Sequence, residues 1–323
     1  VATSGDTGAA AIDAIKGKKN INIFVLHPDN RVSPVQRKLM TTGKDENVFN
    51  IAIKGNFDDC QNLVKSMFAD KKFSSDIKMS GVNSINWARI IAQSVYYFYS
   101  YLSVEDASEP TNFSVPTGNF GDVYAGYLAK KMGLPIDKLI VATNQNDILH
   151  RAISKGSYEA EKVSETISPS MDIQIASNFE RLIFDLNNGD DQQTSLDMKN
   201  IKEKGQYLIN DDKLNKISEN FLSARMSEDE TLEVIKNVYE KFAVVLDPHT
   251  AIGYGAFDKH NLKGNNIVLA TAHPCKFPGA IQSAINVKAE LPNELTFILD
   301  QKENYDIVEN DIEKVKQHIK DRT

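Results

Sequence analysis

Short apolar runs alternate along the chain with segments in which apolar residues recur at every third or fourth position. The runs predict buried strands, and the periodic segments predict helices with one apolar face. The predicted strands lie at 21–26, 48–53, 113–116, 139–142 and 267–270. The predicted helices lie at 9–15, 34–40, 57–68, 85–102, 122–132, 147–153, 179–186, 214–222, 228–242, 277–286 and 309–319. Because strands and helices alternate with short connections, we predict an α/β fold with a parallel sheet covered by helices.

Two polar features complete this pattern. The connection at 156–172 is long and polar, which predicts a surface loop or an active-site loop. Ser227 precedes the helix at 228–242 and is followed three residues later by Glu230, which is the spacing of a capping box.

The composition restricts the classes of partner. The 323 residues carry a formal net charge of -7 and 41% hydrophobic residues, which is typical of one large globular domain or two. The negative charge disfavours nucleic acid and an anionic membrane surface. Because no apolar run approaches about 18 residues, we expect no membrane span. Cys60 and Cys275 stand far apart and in no metal-binding spacing, which favours a reducing, cytoplasmic location.

The beginning of the chain enters a turn motif at once. Val1 is followed by ATSGDTG at 2–8, which is typical of a strand end and the turn after it. Since a domain rarely begins inside a motif, we expect the sequence to be a fragment that lacks the N-terminal part of its protein.

A glycine-bearing turn follows the predicted strand at 113–116 and leads into the helix at 122–132. Gly118 and Gly121 allow backbone conformations and close approaches that a side chain would prevent. Backbone N–H groups at a helix N-terminus have no intrahelical acceptor, and the helix dipole adds partial positive charge. The turn can therefore hold a phosphate, although a plain strand-to-helix turn can have the same composition.

Two further loops gather polar groups at helix starts. The loop at 3–8 offers hydroxyls and backbone N–H groups, which suit a carboxylate or a phosphate but also an ordinary N-cap. The segment at 83–89 places an amide and a hydroxyl at a helix N-terminus, with Asn86 and Arg89 on one face. Amide, hydroxyl and guanidinium groups together can clamp a tetrahedral anion. The alternative is a capped helix with a surface arginine.

The segment at 271–277 follows the last predicted strand. Thr271 can form a hydrogen bond with a ring nitrogen of a ligand, and Lys276 can meet an anion. His273 and Cys275 do not make a credible nucleophilic dyad, because their two-residue spacing does not bring them face to face on a helix. The other histidines show no ligand spacing, so a metal site is not predicted.

With these loops in place, the sequence resembles the threonine synthase family of fold-type II pyridoxal-phosphate enzymes. The resemblance covers nearly the whole chain. Within the family, the sequence is similar to the longer-chain branch that is found in many bacteria and fungi. It rests on five motifs in the family's order, ATSGDTGAA at 2–10, VNSINWAR at 82–89, SVPTGNFGD at 114–122, SPSMDI at 168–173 and TAHPCKF at 271–277.

The resemblance implies the two-domain α/β fold of the tryptophan synthase β-like enzymes, with its N-terminal part missing. Residues 1–77 would form part of a small mobile domain, and residues 78–323 the large domain that binds pyridoxal 5'-phosphate. It also implies that the enzyme is a carbon–oxygen lyase acting on phosphates and that it is a monomer or a homodimer. Such an enzyme converts O-phospho-L-homoserine and water to L-threonine and phosphate by γ-elimination and β-addition of water.

The resemblance also implies which residues bind each group. Those expected to bind the cofactor, through the phosphate loop and a hydroxyl facing the ring nitrogen, are Gly118, Asn119, Phe120, Gly121, Asp122 and Thr271. Those expected to bind the substrate are Ser4, Asp6 and Thr7 at its carboxylate, Asn83, Ser84 and Arg89 at its phosphate, and Lys276 as a further anion ligand.

The sequence departs from the family at one point. The family's Schiff-base lysine lies upstream of the Ser-Gly-Asp-Thr-Gly loop, in a His-Gly-Pro-Thr…Phe-Lys-Asp motif that residues 1–323 do not contain. We therefore assign no catalytic residue and expect this lysine upstream of Val1. On that expectation, the 323 residues alone have no appreciable synthase activity.

Two alternative functions stay open. Another fold-type II enzyme, such as a threonine or serine dehydratase, would need the cofactor loop and the carboxylate loop but not the phosphate clamp. A non-catalytic homologue that binds a phosphorylated metabolite would keep the anion loops and lack the lysine.

Overall fold

The computed structural model describes residues 1–3 and 5–323, with the backbone alone at Asp58. The strands are β1 (Ile23–Pro28), β2 (Val48–Lys54), β3 (Thr111–Pro116), β4 (Ile136–Thr143), β5 (Ser157–Glu159), β6 (Gln206–Leu208), β7 (Phe221–Arg225), β8 (Asn265–Val268) and β9 (Asp306–Glu309). The helices are α1 (Asp6–Ile15), α2 (Pro34–Thr41), α3 (Phe57–Ala69), α4 (Lys71–Asp76), α5 (Trp87–Leu102), α6 (Gly121–Lys131), α7 (Ile148–Lys155), α8 (Phe179–Leu186), α9 (Asp191–Lys204), α10 (Asp211–Asn220), α11 (Glu228–Phe242), α12 (Pro248–Asp258), α13 (Pro278–Ile285) and α14 (Ile312–Lys320). Short 3₁₀ turns lie at Pro169–Met171, Pro274–Lys276 and Asn293–Leu299.

The chain divides into two compact units. The first unit comprises residues 1–83 and 290–323, and the second unit comprises residues 84–289. Both contain a parallel sheet with helices, which confirms the predicted α/β class. Within the described part of the chain, no helix combines the length and apolar character needed to cross a bilayer.

The first unit is built on a three-stranded parallel sheet of order β1-β2-β9. Apolar residues of β1 and β2 meet those of α3 and α14 in a core that contains Leu26, Ile51, Met67 and Val315. Residues of α1 and α2 pack against the sheet in a separate cluster around Met40.

The division differs from the predicted domains at the C-terminal end. The whole range 78–323 was expected in the large domain, but β9 pairs with β2 in parallel register, with Ile53 opposite Val308. This pairing brings residues 290–323 into the first unit. The predicted helix at 309–319 is also shifted, because β9 ends at Glu309 and α14 begins at Ile312.

The second unit is built on a four-stranded parallel sheet of order β7-β4-β3-β8. All six residues of β3, at the centre of this sheet, are buried. The larger core cluster joins β3 and β4 to α5, α6, α7 and α8, and another joins β4 and β7 to α12. β5 and β6 form a separate antiparallel pair.

α5 and α6 run in the same direction. Near the start of both helices, a Cβ added to Gly121 would lie 3.4 Å from Ile90 Cδ1. About two turns further along α5, Tyr97 lies against Gly126, which itself lies further along α6. The Tyr97 hydroxyl donates to the backbone carbonyl of Asp122 at 2.8 Å. The N-termini of the two helices therefore lie at the same edge of the second unit.

α8 begins at this edge as well. The ring of Phe179, its first residue, lies 5.2 Å from the ring of Phe120 at the start of α6. Near the end of α8, Asp185 accepts a hydrogen bond from Tyr124 and one from Lys131 in the last turn of α6. Three helix N-termini thus share one edge, which concentrates their partial positive charge.

Several elements differ from the sequence-based prediction. The helix predicted at 214–222 ends at Asn220, and the residues after it form β7. α9 is not among the predicted helices. α12 was not predicted at all. The predicted capping box at Ser227 and Glu230 is confirmed, with both hydrogen bonds present.

Gly126 tests the packing of α5 on α6. A Cβ at this position would lie 2.4 Å from Tyr97 Cε1 and 2.9 Å from Leu139 Cδ2. We expect Gly126→Ala to lower the free energy of unfolding by about 1–3 kcal/mol, since overpacking outweighs the gain in helix propensity. Urea unfolding of the purified protein measures this change.

Gly279→Ala in α13 is the matched control, because a Cβ there meets no heavy atom within 4 Å. It should leave the unfolding free energy unchanged or raise it slightly. Equal effects of the two substitutions would contradict the close packing of α5 on α6.

Candidate active site

The central glycine loop lies between β3 and α6. Phe120 is the residue before the helix and has a φ of 63°, in the left-handed region that non-glycine residues rarely adopt. Its buried ring packs between those of Phe179 and Phe221, which holds the residue in this conformation. The side chain of Phe120 therefore belongs to the core, and only its backbone is available to a ligand.

The backbone of this loop offers unused donors. The N–H groups of residues 118–123 donate to no acceptor in the described part of the chain, and no side chain caps α6. A Cβ on Gly118 would lie 2.6 Å from the carbonyl oxygen of Ser170, so this position requires glycine. A row of unused N–H groups at a helix N-terminus fits a phosphate.

Asp122 has a different environment from the one predicted. Its carboxyl group accepts a hydrogen bond from the Tyr97 hydroxyl at 3.1 Å, so the side chain is directed towards α5. Burial raises the pKa of the Asp122 carboxyl to about 6, although the hydrogen bond from Tyr97 opposes the shift. A carboxylate beside a phosphate is unfavourable, so the backbone N–H of Asp122 is the group that suits an anion.

Asn178 connects this loop to the segment before α5. Its side-chain amide donates to the carbonyl oxygens of Asn119 and Ser84, at 3.2 Å each. Its backbone N–H also donates to the Asn119 carbonyl, at 3.0 Å. Ser84 and the glycine loop are therefore neighbours, and the Ser84 carbonyl lies 4.0 Å from the position of a Cβ on Gly121.

The start of α5 differs from the prediction. Asn83 and Ser84 were expected at the helix N-terminus, but the helix begins at Trp87 and Asn86 is its N-cap. The Asn86 side chain accepts the backbone N–H of Ala88 at 2.9 Å, which engages its carbonyl oxygen in capping. The division of the chain assigns Asn83 to the first unit and Ser84 to the second.

Arg89 lies in the first turn of α5 and carries an unused donor. Its Nη1 atom is buried and has no hydrogen-bond partner within the described residues. A buried guanidinium nitrogen without an acceptor is costly, so this position favours an anionic ligand.

Thr271 lies just beyond β8 and is exposed. Its backbone N–H donates to Thr250 Oγ1 at 3.3 Å. Its own hydroxyl has no hydrogen-bond partner among the described residues, so it can serve a ligand. The Thr250 hydroxyl in turn donates to the carboxylate of Asp247. Asp247 is the N-cap of α12 and is 1% exposed.

The same carboxylate holds His249. Asp247 Oδ1 lies 3.0 Å from His249 Nδ1, and His249 Nε2 accepts the backbone N–H of Ser170 at 3.3 Å. Since Nε2 accepts a hydrogen bond, the ring proton is on Nδ1 and is donated to Asp247. Because Ser170 packs on Gly118, Asp247 supports both the glycine loop and Thr271. Sequence reasoning missed this support, although Asp followed by Pro248 is a typical helix start.

The polar connection at 156–172 is anchored to the end of β4. Asp172 accepts hydrogen bonds from the side-chain amides of Asn144 at 2.8 Å and Asn146 at 2.9 Å. It also accepts the backbone N–H of Thr166 at 2.8 Å. The part of this connection nearest the glycine loop is therefore held by partly buried polar contacts.

The segment around Lys276 forms a 3₁₀ turn. His273 Nδ1 accepts the backbone N–H of Cys275 at 3.2 Å, so the imidazole caps this turn. Lys276 is the last residue of the turn and is partly buried. In the described residues, no cluster of histidine, cysteine and carboxylate side chains could hold a metal ion.

The predicted carboxylate loop belongs to the first unit. Thr3 Oγ1 accepts the N–H groups of Gly5 and Gly8 at 2.9 Å each, which shapes the turn before α1. Gln36 Nε2 donates to the Asp6 carboxylate at 3.1 Å, so this charge is engaged inside the unit. Thr7 is partly buried in the first turn of α1. Ser4 lies outside the described residues.

The raised pKa of Asp122 predicts a pH effect on stability. A carboxyl with a pKa of about 6 in the folded state and about 3.9 in the unfolded state binds its proton more tightly when folded. Its contribution is therefore most favourable below pH 4 and is lost as the pH rises through 6. We expect Asp122→Asn to raise the unfolding free energy at pH 7.5, relative to pH 4, by about 2 kcal/mol.

Unfolding curves at the two pH values measure this difference. Asp106→Asn is the control, because hydrogen bonds from Ser108 lower the pKa of the exposed Asp106 carboxyl. It should bring no such gain at pH 7.5. A pH-independent effect of Asp122→Asn would contradict the buried position of the carboxyl.

Comparison with known protein families adds to these observations. Residues 1–214 match the model of the pyridoxal-phosphate dependent enzymes, and residues 250–319 match that of the threonine synthase C-terminal region. The glycine loop, Ser84 and Arg89 fall within the first match. Thr250 and Thr271 fall within the second.

Individual relatives agree with both models. The threonine synthase of Pseudomonas aeruginosa is 46% identical over 321 residues, an alignment that covers 98% of this chain and 68% of the relative. A pyridoxal-phosphate-bound threonine synthase structure from Brucella melitensis is 47% identical, with a TM-score of 0.96 and coverage of 99% of this chain and 69% of that one. The yeast threonine synthase structure gives 43% identity and a TM-score of 0.92, over 99% of this chain and 68% of that one. The chain therefore belongs to the pyridoxal-phosphate-dependent enzymes and, among them, to the threonine synthase family.

Proposed function

We propose that this chain acts in the conversion of O-phospho-L-homoserine and water to L-threonine and phosphate. The observation that carries the proposal is the presence of two unused donor sets in the second unit. One is the row of N–H groups at residues 118–123, and the other is the buried Nη1 of Arg89. A reaction with a phosphorylated cofactor and a phosphorylated substrate needs two such sets.

The glycine loop is proposed to hold the cofactor. The N–H groups of Gly118, Asn119, Phe120, Gly121 and Asp122 would bind the phosphate of pyridoxal 5'-phosphate. The Thr271 hydroxyl would form a hydrogen bond with the ring nitrogen as a neutral partner. Bound there, the cofactor would supply the electron sink that chemistry at the substrate α carbon requires.

Arg89 is proposed to bind the phosphate that leaves the substrate. A guanidinium group can donate two parallel hydrogen bonds to phosphate and can neutralise the charge that grows on the leaving group. Asn83 and Ser84 would add polar donors, and Lys276 would add positive charge. Holding the leaving group also fixes the orientation of the bond that breaks.

The loop before α1 is proposed to bind the substrate carboxylate. Ser4 and Thr7 would contribute hydroxyl or backbone donors. The Asp6 side chain repels a carboxylate and is engaged by Gln36, so the backbone of Asp6 is the proposed ligand. The helix dipole of α1 would also favour an anion at the N-terminus of this helix.

The alternative functions have less support. A threonine or serine dehydratase would have no use for the buried, unpartnered Nη1 of Arg89. A non-catalytic phosphometabolite-binding protein is not favoured by relatives that are named threonine synthases at 42–46% identity.

Replacing Arg89 tests the proposed phosphate clamp. In the whole enzyme, we expect Arg89→Ala to weaken O-phosphohomoserine binding about ten- to a hundredfold, because a charge-assisted contact with phosphate is lost. Arg89→Lys should recover part of this loss, since it keeps the charge but not the paired donors. Steady-state kinetics and substrate titration measure both effects.

Arg322→Ala removes a cation just beyond α14 that is paired with Asp306, and it serves as the control, with substrate affinity expected to stay the same. If Arg89→Ala leaves phosphohomoserine binding intact while the enzyme deaminates serine or threonine, the proposed threonine synthase function is wrong and the dehydratase alternative replaces it.

The 323 residues by themselves provide a separate test. They contain no Phe-Lys-Asp motif to supply the lysine that joins the cofactor. We expect the purified 323-residue chain to release no appreciable phosphate from O-phosphohomoserine in the presence of pyridoxal phosphate. Titration with pyridoxal phosphate, followed by its absorbance, controls for a folded site. Turnover above the protein-free background would disprove this expectation.

A further inference from the structure

Asn178 is the residue before α8, where an asparagine side chain usually caps its own helix. Here it does not, because the side chain accepts no N–H group from the first turn of α8. The residue is completely buried, with an exposed fraction of 0%. Its amide is used instead to connect two other segments of the second unit.

Every polar atom of this amide has a partner. Nδ2 donates to the carbonyl oxygens of Ser84 and Asn119, at 3.2 Å each. Oδ1 accepts Nε of Arg181 at 3.1 Å. Because Arg181 can only donate, this contact fixes which side of the amide carries the oxygen and directs Nδ2 towards the two carbonyls.

Arg181 reinforces the same connection. It belongs to the first turn of α8, and its Nη2 donates to the carbonyl of Ile85 at 2.6 Å. Its guanidinium carbon also lies 5.1 Å from the centre of the Trp87 ring. Asn178 and Arg181 therefore contact Ser84 and Ile85 before α5 and also Trp87, its first residue.

The glycine loop leaves room for the side-chain amide of Asn178. A Cβ on Gly121 would lie 3.3 Å from Asn178 Nδ2, which is closer than most side-chain contacts allow. The backbone N–H of Asn178 donates to the Asn119 carbonyl as well, at 3.0 Å. The loop is thus fixed to Asn178 by two hydrogen bonds to one carbonyl oxygen.

We propose that Asn178 is a positioning residue that fixes the distance between the two phosphate sites. One is the loop at 118–121 for the cofactor phosphate, and the other is the Ser84 and Arg89 clamp for the substrate phosphate. This inference rests on the proposed function. Without the amide, the segment before α5 and the glycine loop would each keep their own donors but could move relative to one another.

The spacing matters because the leaving phosphate must be held in a fixed relation to the cofactor. A misplacement of about 1 Å at a reacting centre can reduce the rate about a hundredfold. An asparagine suits this role because it offers two donors and one acceptor without charge. An aspartate would add a negative charge between two phosphates and would lack the donors.

The test is Asn178→Ala in the whole enzyme with pyridoxal phosphate bound. Inorganic phosphate, titrated at saturating pyridoxal phosphate, probes the substrate clamp, and the ³¹P NMR signal of the bound cofactor probes the glycine loop. We expect the phosphate dissociation constant to rise about tenfold and kcat to fall about a hundredfold. The cofactor ³¹P signal should shift or broaden.

Asn112→Ala is the matched control. Asn112 is also completely buried, and its amide joins the Lys263 carbonyl to Asn266 at the opposite end of β3. It should lower thermal stability without changing the phosphate dissociation constant, kcat or the ³¹P signal. If Asn178→Ala does not fold, Arg181→Met, at a partly exposed position, should give smaller changes in the same direction.

The possible failures can be told apart. If the variants at 178 and 181 lose thermal stability but keep wild-type phosphate affinity and ³¹P signal, the positioning role is wrong and the proposed function stands. If the wild-type enzyme with its cofactor binds no inorganic phosphate, the proposed substrate clamp is wrong and this inference falls with it.

Discussion

The common direction of α5, α6 and α8 is the constraint on which the second unit depends. It is maintained by the Tyr97 ring, which occupies the space that a side chain at Gly126 would fill, and by the Tyr97 hydroxyl bound to the Asp122 carbonyl. If α5 ran in the opposite direction, Arg89 would lie at the far end of the sheet from the glycine loop. One close contact between helices therefore decides whether the two proposed anion sites can be neighbours.

The sheet supplies the other half of this arrangement. Parallel strands end at one edge, and the loops that follow β3, β4 and β8 meet there. Two carboxylates hold these loops, the buried Asp247 and the partly buried Asp172. Asp247 supports Thr271 and the segment against Gly118, and Asp172 fastens the polar connection to Asn144 and Asn146. The surface proposed to bind the cofactor is thus made of backbone and hydroxyl groups, while the two carboxylates that support it form their hydrogen bonds within the protein.

Much of the fold follows from local patterns, because buried strands such as β1 and β4 contain uninterrupted apolar runs, at 23–26 and 139–142. β9 escaped prediction since only Ile307 and Val308 in it are apolar, and α12 escaped because Gly253 and Gly255 interrupt its helical pattern. Both are specified by what they pack against, a property that lies outside any short window of sequence.

The same division applies to the site. Gly118 and Gly121 could be proposed from the sequence because they fall in the motif SVPTGNFGD at 114–122, on which the family resemblance partly rests. Asn178 and Asp247 were not, because a polar residue at a helix start is usually exposed, and only the tertiary structure shows these two to be buried. Residues that touch a ligand can carry a motif, whereas residues that hold the ligand's surroundings resemble ordinary caps.

The three adjacent helix starts have a thermodynamic consequence for the stability of the fold. Like ends of dipoles repel one another, so the fold stores electrostatic frustration wherever α5, α6 and α8 begin together. An anion bound at the proposed phosphate sites would relieve it, and binding would thereby be linked to folding. A ligand present at a hundred times its dissociation constant adds about 2.7 kcal/mol to stability. On the proposed function, phosphorylated ligands would then be stabilising counter-ions of the native fold as well as participants in its chemistry.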